Sequence, residues 1–182
     1  MSSHESNYLR VAHGFTNSLA SVKDGQWQLR TPCDDWDVTD LVEHVVATHQ
    51  RVYTMINPGG IEGLDPEALL SARWIYALRT YQDALNDSEI SNAPVTTRVG
   101  EQPFFALVEG LLMIDTLCHS WDLARAIGSD EWLDPIAVDA AHEKLISFGD
   151  GIRVPGGFKD AVTPRSDADE QTKFLNFAGR IV

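Results

Sequence analysis

The chain is poor in cysteine. Its 182 residues hold two, Cys33 and Cys118, too few for a disulfide framework or a four-cysteine zinc ribbon. The expectation is a reducing, cytoplasmic setting with free thiols. It is equally poor in positive charge. Fourteen Lys and Arg stand against 27 Asp and Glu, a formal net charge of −13, and no basic cluster relieves it. Nucleic-acid binders draw much of their affinity from Lys and Arg on phosphates, so no nucleic-acid partner is expected. The most apolar stretch, Phe104 to Leu117, is broken by Glu109 and Asp115, which argues against a membrane span. The N-terminal MSSHESNYLR lacks a basic region followed by an apolar one, so no signal peptide and no membrane partner are expected.

The composition is otherwise that of an ordinary globular protein, with 43% apolar and 23% charged residues, and the length suits one domain over 1–182. Apolar residues recur at three- and four-residue steps, which predicts helices near 7–24, 39–57, 66–87 and 104–127. Shorter ones are predicted at 135–148 and 168–179, the latter following a long Gly/Pro-rich loop at 149–167. Gly25, Asn57-Pro58-Gly59-Gly60, Gly128 and Gly149 supply stops. Thr39 followed by Val42 and Glu43, with Asp37-x-x-Asp40 as a second capping option, Asp65-Pro66 and Asp134-Pro135 supply starts. Val95 to Val99 has strand composition, but one lone strand is marginal, so it reads as an extended connector. The fold class expected is all-α: a helical bundle with two additional short helices. Leu41, Val45, Val52, Trp74, Leu78, Leu111, Ile114 and Leu117 are the expected core.

Histidine interrupts the apolar stripe of two helices. His44 lies in Leu41-Val42-Glu43-His44-Val45-Val46, and His119 follows Asp115 by four residues, so Asp115 and His119 share one helical face. A bare carboxylate in an apolar core is expensive, and a divalent cation offsets that cost. Two imidazoles and one carboxylate would leave coordination positions open, the pattern of catalytic rather than structural sites. His49 is five residues from His44, about 140° around the helix, and cannot point at the same ion. The pattern has an ordinary explanation too, because Asp-x-x-x-His is also a common intrahelical pair. Trp36, Trp74, Trp121 and Trp132 are most simply core or helix-end packing, and both cysteines most simply buried small hydrophobes.

Thr31-Pro32-Cys33-Asp34-Asp35-Trp36-Asp37-Val38-Thr39-Asp40-Leu41-Val42-Glu43-His44 resembles the start of the second helix in the actinobacterial DinB-like proteins related to mycothiol-dependent maleylpyruvate isomerase. Asp115-x-x-x-His119-Ser-Trp121-Asp122-Leu123-Ala124-Arg125 resembles their second motif, and the tail from Gly156-Gly157-Phe158 to Gly179-Arg180 is similar to theirs. The resemblance implies an up-up-down-down four-helix bundle. It implies a metal site with His44, Asp115 (where the isomerase has Glu) and His119 as ligands. It implies mycothiol as a co-substrate; two nitrogens and one oxygen with open positions suit zinc, the ion expected first, as well as nickel, iron or manganese. The isomerase continues into a further C-terminal domain that this chain is expected to lack, and Asp is one methylene shorter than Glu. Both departures argue against maleylpyruvate itself as substrate.

Three readings follow. The first is a metal- and thiol-dependent transferase or isomerase acting on a small electrophile, with no catalytic residue beyond the ligands assignable. Trp36 and Trp121 would rim a cleft at the ion and cover an organic ligand. The second is a non-catalytic metal-binding module or scaffold. The third is a helical dimerisation domain, and a homodimer is compatible with the other two.

Overall fold

The structure, a computed structural model, describes residues 6–98, 100–153 and 157–182. Helix α1 (Asn7–Ala20) starts where Ser6 accepts a hydrogen bond from the amide of Leu9, and it buries Tyr8, Val11, Ala12, Phe15 and Leu19. A single 3-10 turn, Asp24–Gln26, follows. Helix α2 (Val38–Tyr53) opens on a reciprocal cap: Asp37 accepts from the Asp40 amide and Asp40 from the Asp37 amide, both at 3.0 Å. The connector before α2 is folded back on itself. The amide of Val38 donates to Leu29 O and that of Thr31 to Trp36 O, each at 3.1 Å, which sets Cys33 and Trp36 beside the first turns of α2.

Helix α3 (Leu70–Asn86) begins four residues later than Asp65-Pro66 predicts. Asp65 caps an isolated turn instead, with its Oδ1 accepting from the Glu67 amide at 2.9 Å, and Leu69 precedes the helix without a side-chain cap. The short α4 (Ser88–Ser91) is capped by Asp87. The connector expected around Val95 is in fact the first strand of an antiparallel hairpin, β1 (Pro94–Thr97) paired with β2 (Gly100–Pro103). Its partner strand, Gly-Glu-Gln-Pro, has no strand composition. The hairpin is held instead by buried Val95 and by the Phe104 amide donating to Ala93 O at 2.9 Å. Val99 lies outside the described residues.

Phe104–Ile127 is one continuous helix built of α5 (Phe104–Leu107), a π-helical turn (Val108–Leu112) and α6 (Met113–Ile127). It ends at Gly128 with φ +67°, a left-handed cap. The π turn inserts one extra residue, which rotates the apolar face. Leu112 is therefore fully buried, while Leu111, expected in the core, is 44% exposed. The other seven expected core residues are buried. By length and composition this helix could cross a membrane, yet 72% of its most apolar window is buried, as in a core helix.

Helix α7 (Pro135–Phe148) is capped by Asp134 with proline in its first turn, and α8 (Glu170–Phe177) by Asp169. Between them runs a 3-10 turn, Gly149–Ile152, and residues 157–169 form no helix or strand. Trp132, expected to pack in the core or at a helix end, projects outward and is 71% exposed. The architecture is all-α apart from the hairpin, among the described residues. Contacts run α1–α3, α3–α2, α2–α6 and α6–α1, a closed ring of four helices, with α7 against α1 and α6, and α8 on α7.

Candidate metal centre

The α2–α6 seam carries the polar cluster. On α2 the buried stripe is Val38, Leu41, Val42, Val45, Val46, Thr48, His49 and Val52; His44 sits at its edge, with 26% of its side chain exposed. On α6, Asp115 and His119 stand one turn apart and face it. Asp115 Oδ1 is 3.5 Å from His44 Nε2 and 3.7 Å from His119 Nε2, and the two imidazole rings have centroids 4.9 Å apart. Two atoms each about 2.1 Å from one tetrahedral ion are about 3.4 Å apart, so this spacing suits a shared cation. The other oxygen, Asp115 Oδ2, is buried and without a hydrogen-bond partner. An unpartnered buried carboxylate oxygen is costly, and a cation between these three groups would satisfy it. The donor set fits a divalent metal.

The electrostatics agree. Burial pushes the Asp115 carboxyl upward, but His119 and His44 outweigh it and hold the group below the usual carboxylate range. Burial pushes His119 downward, yet Asp115, the Asp122 hydrogen bond and Cys33 raise it to about 10. The two carboxylates thus favour the imidazolium form of His119, and a cation bound at Nε2 would take the place of that proton.

Behind His119 lies a second layer. Its Nδ1 is 3.0 Å from Asp122 Oδ2, and Asp122 is fully buried. Burial would raise the Asp122 carboxyl, but His119 and Arg180 hold it far below the usual range. Arg180 Nη2 donates to Asp122 Oδ2 at 2.8 Å. The thiol of Cys33 is 3.3 Å from the same oxygen. Cys33 is thus half-buried beside the site rather than a plain core residue. On the α2 side, Thr48 Oγ1 is 3.4 Å from His44 Nε2 and accepts from Arg51 Nη2 at 3.2 Å.

Trp36 packs over the cluster, its ring centroid 4.7 Å from that of His44 and 5.8 Å from that of His119. Trp121, two residues beyond His119, is fully buried with the Arg125 guanidinium 4.4 Å from its ring centroid. His49 turns into the core. Its Nδ1 donates to Val45 O at 2.7 Å, and its Nε2 is 3.0 Å from Tyr8 Oη. Sequence reasoning did not assign Asp122, Cys33, Thr48 or Arg180. Asp122 was within reach, being three residues past His119 on the same face; Arg180 is 58 residues from Asp122, and only the fold brings it there. Two surface cavities, one of about 390 Å³ along Ser71, Ile75, Tyr76 and Arg79, the other of about 180 Å³ at Trp132, Leu133 and Val138, are lined by none of the cluster residues.

Residues 9–84, which include His44, match the family described as the mycothiol maleylpyruvate isomerase N-terminal domain. Two proteins of Mycobacterium tuberculosis, from strains CDC 1551 / Oshkosh and ATCC 25618 / H37Rv, both described as uncharacterized, are 30% identical over 171 residues. That covers 91% of this chain and 93% of each relative. The chain belongs to the mycothiol maleylpyruvate isomerase N-terminal domain family. No solved structure matches it. Asp115, His119 and Asp122 lie beyond the matched segment, so in this family member the cluster joins a family-matched helix, α2, to a later one, α6.

Proposed function

We propose that this family member is a divalent-metal-dependent enzyme of the thiol-transferase or isomerase kind, acting on a small electrophile with a low-molecular-weight thiol of the mycothiol type. The observation that carries the reading is the Asp115 carboxylate, whose Oδ1 faces the Nε2 atoms of both His44 and His119 and whose Oδ2 is buried and unpartnered. His44, Asp115 and His119 are the metal ligands, and zinc is the ion that two nitrogens and one oxygen suit, with nickel, iron or manganese sharing the preference. A bound ion supplies Lewis acidity, which favours the thiolate of a nearby thiol at neutral pH. The chain's own residues shape the rest. Asp122 orients His119, Trp36 covers the imidazoles with an apolar face, and the edge where His44 and Asp115 keep 26% and 19% exposure is the side of approach. A reduced, cytoplasmic setting is part of the reading.

One observation favours a second reading, a metal-binding scaffold without catalysis: Trp36 packs over both imidazoles, and the His119 side chain keeps only 7% exposure. One assay separates them. Zinc-loaded protein, a low-molecular-weight thiol and a panel of activated electrophiles are incubated beside the Asp115→Ala variant. Faster thiol consumption by the wild type supports the enzyme; equal rates, with zinc bound only to the wild type, leave the scaffold.

A further inference from the structure

Two sets of ligand-capable atoms meet at His119, one on each ring nitrogen. On the Nε2 side stand His44 and Asp115. On the Nδ1 side stand Asp122 and Cys33, the latter with its Sγ 3.9 Å from Nδ1. Cysteine, histidine and aspartate are common zinc donors, so the second set rivals the first. Arg180 distinguishes them. Its Nη2 lies 2.8 Å from Asp122 Oδ2, its Nε 3.3 Å from Oδ1, and Nη2 is also 3.9 Å from Cys33 Sγ. A fixed positive charge thus stands against Cys33 and engages both oxygens of Asp122.

The position of that guanidinium is built into the chain. Gly179 has φ +83°, and a Cβ there would fall 2.6 Å from Lys159 Cβ and 3.1 Å from Asp160 O, so the turn requires glycine. The Arg180 amide donates to Leu175 O at 2.8 Å, Asn176 Nδ2 donates to Arg180 O at 2.8 Å, and Arg180 Nη1 donates to Ala178 O at 2.9 Å. Backbone and side chain are both anchored.

We propose that Arg180 is a positioning residue that sets which side of His119 takes the metal. It holds Asp122 against Nδ1, which fixes the Nδ1–H tautomer and presents the Nε2 lone pair to the ion. It also keeps a cation off the Cys33–Asp122 side. This rests on the metal centre proposed above.

Cobalt(II), whose thiolate complexes absorb by charge transfer, is titrated into the full chain and into Arg180→Gln, Arg180→Lys and Asp115→Ala variants. The reaction of Cys33 with a chromogenic disulfide is followed with and without cobalt; Cys118 is fully buried and reacts slowly. The wild type is expected to bind one cobalt without a thiolate band and without protection of Cys33. Arg180→Gln is expected to lose roughly 10–100-fold in affinity and to gain both the band and the protection. Arg180→Lys keeps the charge but not the two-pronged geometry, and should bind between the two without the band. A folded Arg180→Gln with wild-type affinity and spectrum overturns the proposal, as does a thiolate band in the wild type. If Arg180→Gln does not fold, Arg180→Lys decides, and unchanged affinity there overturns it. Failure of the metal centre itself reads differently: the wild type takes up no cobalt, or Asp115→Ala takes it up equally.

Discussion

At the scale of residues, two histidines on one helix have opposite fates. His44 stays at the solvent edge and meets Asp115. His49, five residues on, is fully buried and bonded to Val45 O and Tyr8. Burial lowers its pKa from 6.5 to about 4, with the Val45 bond and Asp115 opposing. The folded value lies below the unfolded one, so the unfolded chain binds more protons between pH 6.5 and 4. Stability is full above pH 6.5 and falls as pH drops through that window. The difference corresponds to about 3 kcal/mol. In chelator-treated protein, denaturant melts from pH 7 to 4 should show the wild type losing about that much more than His49→Gln. Parallel losses would mean that His49 is not the neutral buried group described. The spacing argument separating His49 from His44 needed only the helical repeat. What it could not supply was the Tyr8 partner, which comes from another helix.

At the scale of elements, helix ends that depend on local chemistry were legible and those that depend on packing were not. Gly128 ends α6 as its sequence position suggests, in the left-handed conformation. Gly25 does not end α1, which stops at Ala20 with Ser21 as its cap. Gly128→Ala should therefore cost about 1 kcal/mol, whereas Gly25→Ala, with open space around it and no positive φ, should stay within about 0.5 kcal/mol of wild type. Chemical denaturation of both variants checks this, and equal costs would contradict the assignment. The π turn at Val108–Leu112 was not legible. Gly110 is its one poor helix former, which does not mark an inserted residue, and the extra residue shows only in which of Leu111 and Leu112 faces the core. The hairpin escaped for a related reason, since β2 pairs through backbone bonds that Gly-Glu-Gln-Pro does not advertise.

At the scale of the whole molecule, the cluster exists because the helical ring closes. His44 comes from α2, Asp115 and His119 from α6, Trp36 from the connector, and Arg180 from the segment after α8. That His44, Asp115 and His119 face one another could be read from two helical motifs. The tail's contribution could not, because no pattern ties Arg180 to Asp122 across 58 residues. An ion bridging α2 and α6 would bind only the folded chain and so would stabilise it. Zinc at about 100 times its Kd is worth about 2.7 kcal/mol, or roughly 5–10 °C in Tm at this size. Calorimetry should show that rise in the wild type, its reversal by a chelator, and its absence in Asp115→Ala. A rise of the same size in Asp115→Ala would place the ion elsewhere.

The most direct measurement is a crystal structure of zinc-loaded protein with data collected at the zinc absorption edge. The account predicts one anomalous peak, about 2.0–2.2 Å from His44 Nε2, His119 Nε2 and an oxygen of Asp115, with Asp122 still on His119 Nδ1. A peak bound by Cys33 and Asp122 instead, or loaded protein with no peak between α2 and α6, would contradict it.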